Sequence, residues 1–152
     1  MANIHSKDEI LALLGRQKLA TLATAGPGSL RTRCMFFAHD ADLNIYMMAT
    51  VGSAKISEMR ANPDVSVLVT EEDPVLFNTV EVEVQGRAGI LTGDDAKMAA
   101  LRLLAPKCPF AQFALEAQSG ESFDVVKIKP KVLIYRVYGE ASTGVGATVL
   151  TF

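Results

Sequence analysis

The stretch "TVEVEVQGRAGIL" (79–91) alternates apolar and polar residues more cleanly than any other part of the chain. Val80, Val82 and Val84 fall on one side of an extended backbone, and Glu81, Glu83 and Gln85 fall on the other. That is the signature of a half-buried β-strand. Outward from it, five more segments read as strands: "LATLATA" (19–25), "LRTRCMFFA" (30–38), "LNIYMMAT" (43–50), "DVSVLVT" (64–70) and "SFDVVKIKPKVLIYRVYG" (122–139). The last is expected to break or bulge near Pro130. "GPGS" (26–29) and "HDAD" (39–42) supply tight turns between neighbours. About six strands with hairpin-like links and few long crossovers predict a small antiparallel β-barrel rather than a parallel sheet.

Short helices fit between the strands. In "HSKDEILALLG", Ser6 and Glu9 have capping-box spacing, Ile10, Leu13 and Leu14 form an apolar stripe, and Gly15 ends it. Residues 53–61 form a second helix, stopped at Asn62-Pro63. Residues 92–105 form a third, with Thr92 and Asp95 at capping-box spacing, and 108–120 reads as a short helix and loop. The tail "EASTGVGATVLTF" shows no period and receives no assignment. One domain spanning 1–152 is expected.

Composition removes several functions. A net charge of -2 offers no basic face for nucleic acid. No apolar run approaches the roughly 20 residues that span a bilayer, so no membrane role is expected. The N-terminal residues lack a signal-peptide pattern, and Cys34 and Cys108 do not make a disulfide framework, so a reducing cytoplasm is the expected compartment. No Gly-rich dinucleotide fingerprint follows a strand. With two histidines, His5 and His39, the chain has no catalytic triad or zinc motif, and no metal site is expected. The "HDAD" acids read as turn formers. Cys34 alternates away from Arg33 and reads as core.

One corner suggests anion binding. In "TVGSAKISEMRANPDVSVLV" (50–69), Ser53 stands where it can cap a helix, Gly52 allows close backbone approach, and Lys55 lies in the first turn. Such a helix start favours a phosphate, although a capped helix with a solvated lysine reads the same. Arg31 and Arg33 lie two apart, on the strand face shared by Met35 and Phe37. They need anionic partners: Glu81 or Glu83 within the chain, or a ligand.

The ordered run from "LATLATAGPGSLRTRC" through "TVGSAKISEMRANPDVSVLV", with "VEVQGRAGIL" and "KPKVLIYRVYG" later, resembles the pyridoxamine 5′-phosphate oxidase-like FMN-binding split-barrel family over about 15–139. The resemblance implies a mainly β fold with short helices, a six-stranded antiparallel split barrel of Greek-key type. It also implies a homodimer with FMN at the interface. By its motifs, Arg33 approaches the flavin, Ser53 and Lys55 hold the phosphate, and Met48, Ala49 and Thr50 lie along the ring. Gln85 reaches the cofactor from the partner chain. An FMN-dependent oxidoreductase with a small-molecule substrate or nicotinamide electron donor follows. Alternatives within the same barrel are a deazaflavin- or haem-binding protein, or a flavin-binding protein without turnover. Ala38 and Ala54 stand where the true oxidase has a second lysine and an arginine, and the oxidase's C-terminal Arg/His motif and Trp are absent. The chain thus resembles the general stress protein or flavin reductase branch.

Overall fold

The computed structural model describes residues 4–117 and 120–152. In chain order the strands are β1 (Leu19–Gly26), β2 (Ser29–Phe36), β3 (Ala38–His39), β4 (Ile45–Thr50), β5 (Asp64–Glu71), β6 (Val80–Ile90), β7 (Phe123–Val137) and β8 (Thr148–Thr151). The α-helices are α1 (Lys7–Arg16), α2 (Ala54–Ala61), α3 (Asp94–Leu104), α4 (Pro109–Glu116) and α5 (Tyr138–Ser142). All strands pair antiparallel in one sheet, in the order β2-β1-β5-β6-β7-β4-β3, with β8 also against β7. The sheet curls into a split barrel, mainly β with short helices.

Eight strands replace the expected six for two local reasons. The segment 30–38 divides at Phe37, whose side chain is fully buried, leaving β3 to make its own short pairing with β4. The unassigned tail supplies α5 and β8, and β8 pairs with residues 132–135 of β7. β7 is long enough to serve β4 with its first half and β8 with its second. Between the halves the β6–β7 register slips at Gln85/Gly86, opposite Pro130. The bulge is where the proline was expected to force one.

Val82 and Val84 point inward, as their spacing required, and join Leu22, Val67, Val126, Ile128 and Leu133 in the main core. Helix α1 seals one side of it with Ile10, Leu13 and Leu14, and α2 contributes Ile56 and Met59. The Ser6–Glu9 capping box is formed, but the helix runs past Gly15 to Arg16. A second apolar layer lies outside β4, where Tyr46, Met48 and Val125 pack under Leu101, Leu104, Ala111 and Ala114 of α3 and α4. Strand β4 is therefore covered on both faces, which explains the apolar run "IYMMA" without any partner chain. Lys107, between α3 and α4, ties this layer to α1. Its Nζ donates to Leu14 O at 2.7 Å and lies 4.2 Å from the Phe37 ring centroid, and burial pushes its pKa down to about 8. Helix α3 starts one step later than Thr92 suggested, at an N-cap Gly93 with φ 92°, and has no side-chain cap. The loop expected after α4 falls partly outside the described residues. Among the described residues, no helix is long and apolar enough to cross a membrane.

Candidate functional site

Strands β2 and β4 belong to opposite ends of the strand order, so the curling of the sheet leaves a seam between them. A cleft of about 540 Å³ lies in that seam. Cys34, Met35 and Phe36 of β2 face Met48, Ala49 and Thr50 of β4 across it, and Phe110, Phe123 and Cys108 close its walls. Its volume falls in the range of small-molecule sites, and the lining is mostly aromatic, thioether and thiol. Phe36 and Phe110 meet edge to face, with centroids 6.4 Å apart. Lys55 is the basic side chain in the lining, and among the described residues no carboxylate or histidine lines it. The cleft therefore suits a flat apolar ligand that carries an anion.

The anion-favouring end is the start of α2. Gly52 adopts φ 80°, which turns the chain from β4 into the helix and favours glycine. Ser53 occupies the N-cap position, but its side chain does not cap the helix. Its Oγ is shielded and makes no hydrogen bond in the chain. The expected capping bond is therefore absent. Ser53 N–H donates to Thr50 O and Ile56 N–H to Ser53 O, so the Ser53 hydroxyl and the Ala54 and Lys55 N–H groups are the donors left for a ligand.

Arg33 is engaged elsewhere. Its guanidinium donates to Glu58 Oε2 at 2.9 Å and to Thr24 Oγ1 at 2.9 Å, and Arg31 donates to Glu58 Oε1 at 3.0 Å. Glu81 and Glu83, the intramolecular partners considered from sequence, both bind Arg136 instead. The Thr24 hydroxyl and then Arg33 and Arg31 hold the Glu58 carboxyl far below its ordinary range, at about 2. Glu58 and Lys55 are three apart on α2 and so share a helix face. Arg33 thus reaches α2, one turn inside its start.

Of the residues singled out in the sequence, Met48, Ala49, Thr50 and Lys55 line the cleft, and Ser53 flanks Lys55 at the helix start. Arg33 does not line it. Gln85 lies on β6, is exposed, and donates to Glu83 Oε1 at 2.9 Å. It borders a separate groove of about 570 Å³ with Ala23, Leu30, Ser66 and Lys131. Cys34 is exposed on the cleft side of β2, not in the core as expected, because the face opposite Arg33 looks outward. Phe110 and Phe123 also line the cleft and went unnoticed: nothing in their local pattern tells a wall from a core residue. Asp40 does serve its turn. One carboxylate oxygen accepts from the Asp42 and Asn44 N–H groups and the other from the Tyr46 hydroxyl.

A curled antiparallel sheet, split along one seam and with a ring-lined cleft beside a helix start, defines a split-barrel domain. Residues 6–136 match the family model described as pyridoxamine 5′-phosphate oxidase, and the chain belongs to that family. It is 34% identical over 91 residues to General stress protein 26 of Bacillus subtilis, a match covering 60% of this chain and 64% of the relative. General Stress Protein 26 from Bacillus anthracis superposes with a TM-score of 0.66 at 22% identity, covering 96% of this chain and 98% of that one. A FAD-binding protein from Mesorhizobium loti superposes at 0.69 with 20% identity, covering 86% and 94%. A heme binding protein from Mycobacterium smegmatis superposes at 0.77 with 14% identity, covering 99% and 60%. Likeness to these three structures is one of fold.

Proposed function

We propose that the chain binds FMN in the seam cleft as a homodimer and acts as an oxidoreductase between a nicotinamide donor and a small-molecule substrate. The observation that carries this reading is the unpartnered Ser53 Oγ beside Lys55, where α2 begins at the end of an apolar cleft. The Ser53 hydroxyl, the Lys55 ammonium and the Ala54 and Lys55 N–H groups would hold the phosphate. Met48, Ala49 and Thr50 would lie along the ring, with Met35, Phe36, Phe110 and Phe123 excluding water. Bound FMN supplies the redox chemistry, taking up and passing on a hydride or electrons. The cleft offers the cofactor no carboxylate or imidazole, and none is needed for that transfer. Imidazole, a usual axial ligand of haem, does not line the cleft. Gln85 would join the site only from the second chain.

Titration with FMN tests the reading. The wild-type protein is expected to take up FMN with a shifted flavin spectrum, and Ser53→Ala/Lys55→Ala to weaken uptake by about 100-fold through loss of charge-assisted phosphate bonds. Riboflavin, which lacks the phosphate, should be indifferent to the change. A wild-type protein that takes up no FMN overturns the proposal, and uptake of a deazaflavin in its place would rename the cofactor. Anaerobic mixing with NADPH or NADH then separates an enzyme, whose flavin bleaches, from a carrier, whose flavin stays oxidised.

A further inference from the structure

Thr24, Arg31 and Arg33 form a cradle for an anion, and the chain fills it with its own carboxylate. The buried Thr24 donates to Glu58 Oε2 at 2.7 Å, Arg33 donates to the same oxygen at 2.9 Å, and Arg31 takes Oε1 at 3.0 Å. A hydroxyl and two guanidiniums are the donors that also grip a phosphate. The acid they hold is borne on the same helix as Ser53 and Lys55, and shares a face with Lys55. Two guanidiniums, Arg31 and Arg33, meet one carboxylate here, with Lys55 on the same helix face, so positive charges outnumber the negative one. The Arg33 and Glu58 side chains are only 16% and 17% exposed, so water screens them weakly.

A negative charge in that place opposes a phosphate twice over. It repels an anion at the adjoining helix start, and it occupies the guanidinium that the anion would use. We propose that Glu58 is an internal competitor for the cofactor's phosphate, holding Arg33 in the free protein and yielding it when the phosphate seats at the start of α2. The inference rests on the flavin reading of the cleft. It makes Glu58 a positioning residue that sets phosphate affinity and so the preference for FMN over riboflavin. It also reconciles the arginine expected near the flavin with its observed hold on a helix carboxylate.

Fluorescence titrations of wild type, Glu58→Gln, Arg33→Gln and the double variant with FMN and with riboflavin test it. Glu58→Gln keeps the shape and removes the charge. It is expected to tighten FMN about tenfold while leaving riboflavin unchanged, and the gain should vanish in the Arg33→Gln background. In the wild type, the Arg33 side-chain NMR signals are expected to move on adding FMN and to stay on adding riboflavin. That readout stands even if Glu58→Gln folds poorly. FMN binding that is unchanged or weaker in folded Glu58→Gln, or Arg33 signals that stay still, overturns the inference alone. Failure of every form to bind either flavin overturns the flavin reading, and the inference with it.

Discussion

At Gly86 the two long strands slip register, and an added Cβ would clash with the Lys129 carbonyl oxygen, with Ile128 Cγ2 only 3.0 Å from that position. The obstacle is backbone, so it cannot swing aside. Gly86→Ala is expected to lower the urea unfolding free energy by about 3 kcal/mol, as overpacking does. Gly89→Ala, whose Cβ would meet nothing nearer than the Lys127 carbonyl at 3.9 Å, should stay within about 1 kcal/mol of wild type. Equal losses at the two positions would remove the steric account. Residues of this kind also mark what the sequence shows of the site. Lys55 was singled out because a helix start is a local pattern, whereas Met48, Ala49 and Thr50 came only through the family resemblance. The Glu58 grip on Arg33 was not legible, because it joins residues 25 apart that only the packing of α2 on the sheet brings together.

Elements with a strict period were the ones the sequence disclosed: the alternation of β6, the capping box of α1 and the bulge expected at Pro130 all stand. Elements fixed by tertiary partners were not. β8 exists because β7 presents a free edge to it, and β3 because Phe37 is drawn into the core. The same tertiary logic fastens the tail. His5 Nε2 lies 2.8 Å from Glu140 on α5, its Nδ1 lies 3.4 Å from Glu9 on α1, its ring packs 4.8 Å from Tyr135 of β7, and its N–H donates to Thr148 of β8 at 3.2 Å. Burial works against the imidazolium, but Glu140 and then Glu9 outweigh it and raise the His5 pKa above 6.5. A raised folded-state pKa gives stability that is complete below the unfolded value of about 6.5 and lost as pH rises through the folded value. Amide exchange in α5 and β8 should therefore accelerate, relative to the intrinsic rate, as pH climbs from about 6 to 8. The rest of the sheet should change less, and His5→Gln should abolish the dependence. Protection in β8 that ignores pH in the wild type would release the tail from this clamp.

At the scale of the whole molecule, the cleft lies on one side of the barrel and Gln85 on another, bordering the groove that Leu30 overhangs. Leu30 is 86% exposed, beside Ala23 and Ala25, so the rim of this groove is apolar. A second copy seated on this groove would cover Leu30 and could offer its own cleft to Gln85, completing two sites at one interface. The apolar run of β4 is satisfied within the chain, so the β1–β2 surface is where a second copy would sit. Light scattering of the wild type is expected to return twice the 16.3 kDa chain mass. Leu30→Lys, which puts a charge on the apolar rim, should return a single chain mass without lowering Tm by more than a few degrees. If the site spans both chains, the same variant should weaken FMN several-fold although no cleft residue has changed, and Gln85→Ala should weaken it in the dimer but not in the Leu30→Lys monomer. A wild-type monomer that binds FMN as tightly as any variant would confine the cofactor to one chain and leave Gln85 outside the site.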